Sequence, residues 1–370
     1  MQENNALDRE LKLSLPYISA DLPGVGGQLR ASPDHFVVEE VPLYEPIGEG
    51  QHLYVNLTKQ EMTTRDVQKK LASIFNLPNG EVGFAGMKDK YARTTQTFSL
   101  NVGHVDSAFV DAAAVRIEEA LPVTVHWVNL HRNKLKAGHL LGNRFSIRVT
   151  EMDLPVDEAF QRAQTIVAQI QARGLPNFYG PQRLGQQGSN VLRGFELIVG
   201  QRKMKDRWLR DLLRASVQSY MCNRYLAERV ERGLFDQVIL GDVAKKYDTG
   251  GLFEVTDVDA EQPRYERKEI SFTAPIYGPK MWITTGDAGA LEEAVLAESG
   301  VTLDDLHKAH LTGTRRMGRL IFADLQVQPH ETGLNVRFFL PKGAFATTVL
   351  REIMKVDDNA LASIPADDSD

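Results

Sequence analysis

Residues 85–96 read AGMKDKYARTTQ: a short apolar run, EVGFAG (81–86), ends in glycine, a carboxylate follows between two lysines, and TTQTFSLNV (94–102) then alternates as a strand. Lys88-Asp89-Lys90 therefore lies on the connection between two strands, a common position for chemistry. Taken alone, such a turn is in most proteins a solvated surface feature. Neighbouring cations favour the charged form of a carboxylate, so Asp89 suits a nucleophile or a base better than a general acid.

Working outward, FVVEEVPLY (36–44) and HLYVNL (52–57) read as strand, turn and strand. TTRDVQKKLASIF (63–75) predicts a helix, with threonines at its start and Val67, Leu71 and Ile74 at helical spacing. VTVHWVNL (123–130) and NRFSIRVTEM (143–152) are strands, and EAFQRAQTIVAQIQARG (158–174) is an amphipathic helix ending at glycine. Past Gly174 the character changes to a Gly/Gln loop, NFYGPQRLGQQGSN (177–190), and then to a helical stretch over 206–240. LNVRFFLP (334–341) and GAFATTVLREIM (343–354) return to a strand followed by a helix. The order is mixed α+β.

At 370 residues the chain suggests two or three domains, and 42% hydrophobic with 25% charged residues is the composition of a folded soluble protein. Cys222 is the single cysteine, so neither an intramolecular disulfide nor a Cys-rich zinc site can form. The first 24 residues lack the pattern of a signal peptide, and there is no run of 18 apolar residues. The expected location is the cytoplasm, with no membrane partner. Phosphate-cradling motifs are missing: GVGG (24–27) is not a dinucleotide fingerprint and GQQGS (185–189) is not a nucleophile elbow. His307 and His310 lack a third ligand, so no metal is expected.

The pattern around Asp89 resembles the signature of the tRNA pseudouridine synthase D (TruD) family, A-G-x-K-D-x-x-A-x-T-x-Q. Further blocks are similar in order: SPDHFVVEE (32–40), KLKAGHLLGNRF (134–145), PNFYGPQRLG with GSN after it (176–190), and FFLPKGAFATTVLREI (338–353). Phe178-Tyr179 stands where the family more often reads Tyr-Phe, and Leu184 where Phe is common. The resemblance spans about 27–354, with few motifs in 200–310.

That resemblance implies an isomerase converting a uridine of tRNA, at position 13, into pseudouridine with Asp89 as the catalytic residue. Phe36, Asn143 and Phe345 fall on substrate-contacting positions, Phe145 on the aromatic that packs on the target base, and Arg30 on a basic position able to pair with Asp89. Lys88 and Gln96 of the signature join the substrate-binding set. The reaction breaks the C1′–N1 bond and rejoins uracil through C5, so no redox step, nucleotide or other cofactor is implied. Attack on the sugar and removal of its 2′ proton both remain open for the aspartate. The alternative is a catalytically silent RNA-binding protein of the same fold. A glycoside-cleaving enzyme would need a second acid, which the loop lacks.

The implied fold is α+β: a pseudouridine-synthase catalytic domain with a mixed or antiparallel sheet, formed by 1–173 and 321–356. Residues 174–320 would form an inserted helix-rich α+β domain, with an acidic tail over 357–370, the whole acting as a monomer. Net charge first argues against RNA, since 43 Lys and Arg face 49 Asp and Glu, a balance of −6. Five aspartates fall within the last fourteen residues, so residues 1–356 carry only −1. Basic runs at Arg132, Lys134, Lys136, Arg144 and Arg148, at Lys308, Arg315, Arg316 and Arg319, and over 202–214 are expected to meet phosphates, because screening hides the distant tail.

Overall fold

Threonine and aspartate side chains cap the starts of several helices, Thr63, Asp106, Asp206, Asp257 and Thr302 among them. The computed structural model describes residues 10–357 and 361, so most of the expected acidic tail lies outside the described residues. In chain order, β1 (Gln28–Leu29), β2 (Phe36–Pro42) and β3 (His52–Lys59) precede helix α1 (Thr64–Ile74). β4 (Val82–Phe84) and β5 (Arg93–Asn101) bracket the Asp89 connection; α2 (Ser107–Ala120), β6 (Val123–His131), β7 (Leu140–Thr150) and α3 (Val156–Arg173) follow. Next come β8 (Leu175–Pro176), α4 (Pro181–Leu184), α5 (Ser189–Ile198), α6 (Arg207–Glu231), β9 (Val243–Lys246), β10 (Leu252–Glu254) and α7 (Val258–Glu266). After β11 (Ile270–Ile276), α8 (Gly286–Ser299), α9 (Leu303–Lys308), β12 (Thr314–Met317) and β13 (Arg319–Leu320), the last elements are β14 (Gln326–His330), β15 (Gly333–Pro341) and α10 (Ala346–Met354). Among the described residues no helix is long and apolar enough to cross a membrane.

The chain divides into two units. One comprises Val25–Gln164 with Asp324–Ala344 and holds a nine-stranded sheet, ordered β14-β15-β7-β2-β5-β3-β6, with β1 added on β7 and β4 on β5. The two strands read from 36–57 are not neighbours. β5 inserts between them, parallel to β2 (Val38 beside Thr94) and antiparallel to β3 (Val55 beside Phe98). α1 starts with a capping box, Thr63 accepting from the Asp66 N–H while the Asp66 carboxylate accepts from Thr63. Its Val67 and Leu71 bury with Leu53, Val55, Leu57, Phe98 and Leu100, and with Ala113 and Ile117 of α2, a helix the sequence reading had not marked. On β2, Phe36, Val38 and Glu40 share one face, and Val38 and Glu40 stand opposite Phe145 and Asn143 of β7.

The other unit comprises Thr165–Ala323 with the described residues 10–24 and 345–357 and residue 361. It is helix-rich, but it also carries a four-stranded antiparallel sheet, β10-β9-β11-β12. The helix expected over 206–240 stops at Glu231. Two members of the basic run Lys308 to Arg319 turn inward, while the Lys308 side chain stays exposed. Arg315 is buried and pairs with Glu292 at 2.6 Å. Arg319 is buried over the Tyr265 ring at 3.5 Å, and Lys308 pairs with Asp304 at 2.6 Å. Charges spent on the interior are lost to RNA.

Candidate active site

The β4–β5 connection carries Asp89 and is tied to its surroundings at several points. Gln96, buried on β5, donates from Nε2 to the Gly86 carbonyl at 3.1 Å and accepts from the Thr64 hydroxyl at 2.9 Å. The Thr64 hydroxyl oxygen in turn accepts the Lys88 backbone N–H at 2.8 Å. Lys59, at the end of β3 and fully buried, donates from Nζ to the Asp89 carbonyl at 2.8 Å and to the Met62 carbonyl at 2.6 Å. The Asp89 carboxylate itself closes a turn by accepting the Tyr91 N–H on Oδ1 at 2.9 Å.

Two buried ion pairs organise the charges. Arg30 Nη2 lies 2.5 Å from Asp89 Oδ2, with side chains 10% and 7% exposed. Arg30 holds a left-handed backbone, φ +67°, unusual for a residue with a side chain, and lays its guanidinium 4.3 Å over the Phe36 ring. The Lys88 side chain turns inward rather than to solvent and meets Glu40 Oε2 at 3.0 Å, while Glu40 Oε1 accepts the Thr97 N–H at 3.3 Å. Each pair costs desolvation that geometry and extra hydrogen bonds must offset, so such pairs are better at specifying an arrangement than at stabilising it.

An aromatic group adjoins Arg30. Phe36 stands edge-on to Phe145 with ring centroids 6.4 Å apart, and Phe145 stacks on Phe338 of β15 at 5.3 Å. Asn143 lies two residues from Phe145, so the alternation of β7 places both on one face. Its carboxamide oxygen is shielded from solvent and, among the described residues, accepts no hydrogen bond. A buried acceptor without a donor is costly unless water or a ligand supplies one. Phe345, the remaining sequence candidate, belongs to the other unit, where it caps the start of α10. It meets Tyr179 at 5.6 Å, and Arg316 sits 4.1 Å over the Tyr179 ring, held by Asn177.

The first unit thus gathers Arg30, Phe36, Lys88, Asp89, Gln96, Asn143 and Phe145. Sequence reasoning missed Glu40, Lys59 and Thr64. Glu40 lies within SPDHFVVEE (32–40), and Lys59 continues the inward alternation of Leu53, Val55 and Leu57 as a charge, which is the sequence signal that marks it.

Comparison with known families then bears directly on this loop. The family model described as tRNA pseudouridine synthase D (TruD) matches residues 12–208 and 201–353. The chain belongs to the TruD family. A protein named tRNA pseudouridine synthase D from Anaeromyxobacter dehalogenans is 42% identical over 363 residues, covering 96% of this chain and 99% of that one. One of the same name from Thermus thermophilus is 42% identical over 342 residues, covering 92% of each. The crystal structure of a putative TruD from Methanosarcina mazei superposes with a TM-score of 0.75 at 26% identity, covering 93% of this chain and 97% of that one. The α+β architecture is therefore that of a TruD protein. In this TruD chain, no group of three or more His, Cys, Asp or Glu is placed to hold a metal among the described residues.

Proposed function

We propose that the chain isomerises a uridine of tRNA, at position 13, to pseudouridine, with Asp89 as the group that acts on the ribose. The observation that carries the reading is the Arg30–Asp89 pair, set in a tied loop beside Phe36 and Phe145. A uridine must leave its stack before its glycosidic bond can be reached, at a cost of a few kcal/mol. Aromatic faces offset that cost by stacking on the extruded base, the role assigned to Phe145, with Phe36 beside it as a further substrate contact. Asn143 offers an acceptor to the N3–H of uracil. The C1′–N1 bond breaks, uracil turns in place, and C5 bonds to C1′; the C5 proton leaves and N1 gains one. Substrate and product are isomers, so no redox equivalent is consumed.

Arg30 keeps the carboxylate oriented toward the site, and Lys88 and Gln96 serve it by fixing the loop. The reading includes a catalytic domain from 1–173 and 321–356 with an inserted domain at 174–320. The joining of β15, late in the chain, to β7 supports that discontinuity. It also takes the protein as a cytoplasmic monomer with tRNA as its partner.

Asp89→Asn is the decisive variant. It should abolish pseudouridine formation, read by chemical sequencing of the tRNA, while tRNA binding largely persists. A purified variant converting uridine at the wild-type rate would remove Asp89 from the mechanism. A wild-type chain that binds tRNA and leaves it unmodified would favour the silent RNA-binding alternative.

A further inference from the structure

We propose that Lys59 is a positioning residue for Asp89, so that the junction between β3 and α1 sets where the carboxylate sits; this rests on the isomerase reading of Asp89. Lys59 lies outside every sequence block that marks the family resemblance. It ends β3 on the inward face and is fully buried. Removing an ammonium from water is costly, and burial of this kind is sustained only where well-placed acceptors offset it. Here the acceptors include the Met62 carbonyl, in the turn leading to α1, and the carbonyl of Asp89 itself. A neutral side chain could build the same turn with less desolvation. The charged one reaches across to the reacting residue.

The second half of the device is Thr64, which opens α1 and accepts the Lys88 N–H. Lys59 and Thr64 therefore bracket the Lys88-Asp89 dipeptide, one holding the N–H at its start and the other the carbonyl at its end. With both ends fixed on one junction, the direction in which the Asp89 Cβ leaves the backbone is fixed too. Arg30 can then meet the carboxylate without having to hold the loop in place. Because a shift of about 1 Å in a reacting group can cost on the order of a hundredfold in rate, such a mount is a catalytic requirement rather than a matter of stability alone.

The test compares Lys59→Met, Lys59→Gln and the wild type in single-turnover conversion of tRNA, with tRNA affinity and thermal midpoint measured alongside. Asp106→Ala, which removes the side-chain cap of α2 far from the loop, serves as the stability control. The expected result is a rate at least about tenfold lower in Lys59→Met with tRNA affinity within about threefold, partial recovery in Lys59→Gln, and a lower midpoint without rate loss in Asp106→Ala. A folded Lys59→Met variant turning over within about twofold of wild type overturns the proposal, as does a loss wholly accounted for by weaker tRNA binding. Should Lys59→Met fail to fold, Lys59→Gln at the wild-type rate overturns it equally. An inactive wild type takes the isomerase reading and this one down together. An active wild type with an active Lys59→Met removes the Lys59 assignment alone.

Discussion

Arg30 holds Asp89 with one edge of its guanidinium, 2.5 Å from Oδ2, and covers Phe36 with its flat face at 4.3 Å. One side chain thus joins the carboxylate proposed to act on the ribose to the aromatic group proposed to receive the base. Arg30→Ala should lower single-turnover conversion by about tenfold to a hundredfold, which corresponds to about 1.4–2.7 kcal/mol of lost transition-state stabilisation. Arg30→Lys should recover only part of that, because an ammonium restores the charge but not the planar face.

The Lys88–Glu40 pair predicts a stability effect with a distinctive reversal. Glu40→Gln leaves a buried ammonium without its counter-charge and should cost about 3–5 kcal/mol in denaturant unfolding. Replacing both partners, as in Glu40→Leu with Lys88→Met, should restore much of that stability while leaving activity low. A direct role of Lys88 in contacting RNA would instead show as lost tRNA affinity in Lys88→Met.

His131, at the end of β6, is buried between Tyr44, stacked at 5.1 Å, and Tyr54 at 5.0 Å. Burial, aided by the neighbouring Arg132 charge, holds its imidazole below the ordinary value of 6.5. The folded state therefore binds fewer protons than the unfolded state near that value. The stabilisation is present above pH 6.5 and is lost as pH falls through the range below it. His52, beside His131 on β3, is lowered by burial as well. The thermal midpoint should drop between about pH 7 and 5.5, and His131→Phe should flatten that slope, as calorimetry across the range will show.

Cys222 lies inside α6 with no exposed surface, and burial pushes its thiol up to about 12. Since the thiolate is the reactive form, a disulfide reagent at mildly alkaline pH should leave the folded protein unlabelled. One equivalent should react once denaturant is added.

The signature loop, the Thr63 cap and most strands were legible because each depends on residues close in sequence. Val67, Leu71 and Ile74 state a helix wherever they occur at that spacing. The insertion of β5 between β2 and β3 was not legible, because strand alternation reports which face a residue takes and says nothing about which strand lies beside it. The fate of Arg315 and Arg319 was misread for a related reason: a run of bases looks alike in sequence whether it faces phosphate or, as here, Glu292 and the Tyr265 ring. Within the site, Asp89 stood out by its motif. Lys59 did not, because the carbonyl it holds lies thirty residues away.

The placement of β15 has a consequence for how the protein is made. β7 carries Asn143 and Phe145 and is paired on one side by β2 and on the other by β15, whose first residue is Gly333. During synthesis, everything from Glu151 to Thr332 must emerge before that second edge is closed. Until then β7 presents an unpaired row of backbone groups, a template for association with other chains. The late, long-range pairing also favours slow completion of the sheet. A ribosome that stalls within that interval would release an aggregation-prone chain, with the strand beneath the expected uridine floor still lacking its neighbour.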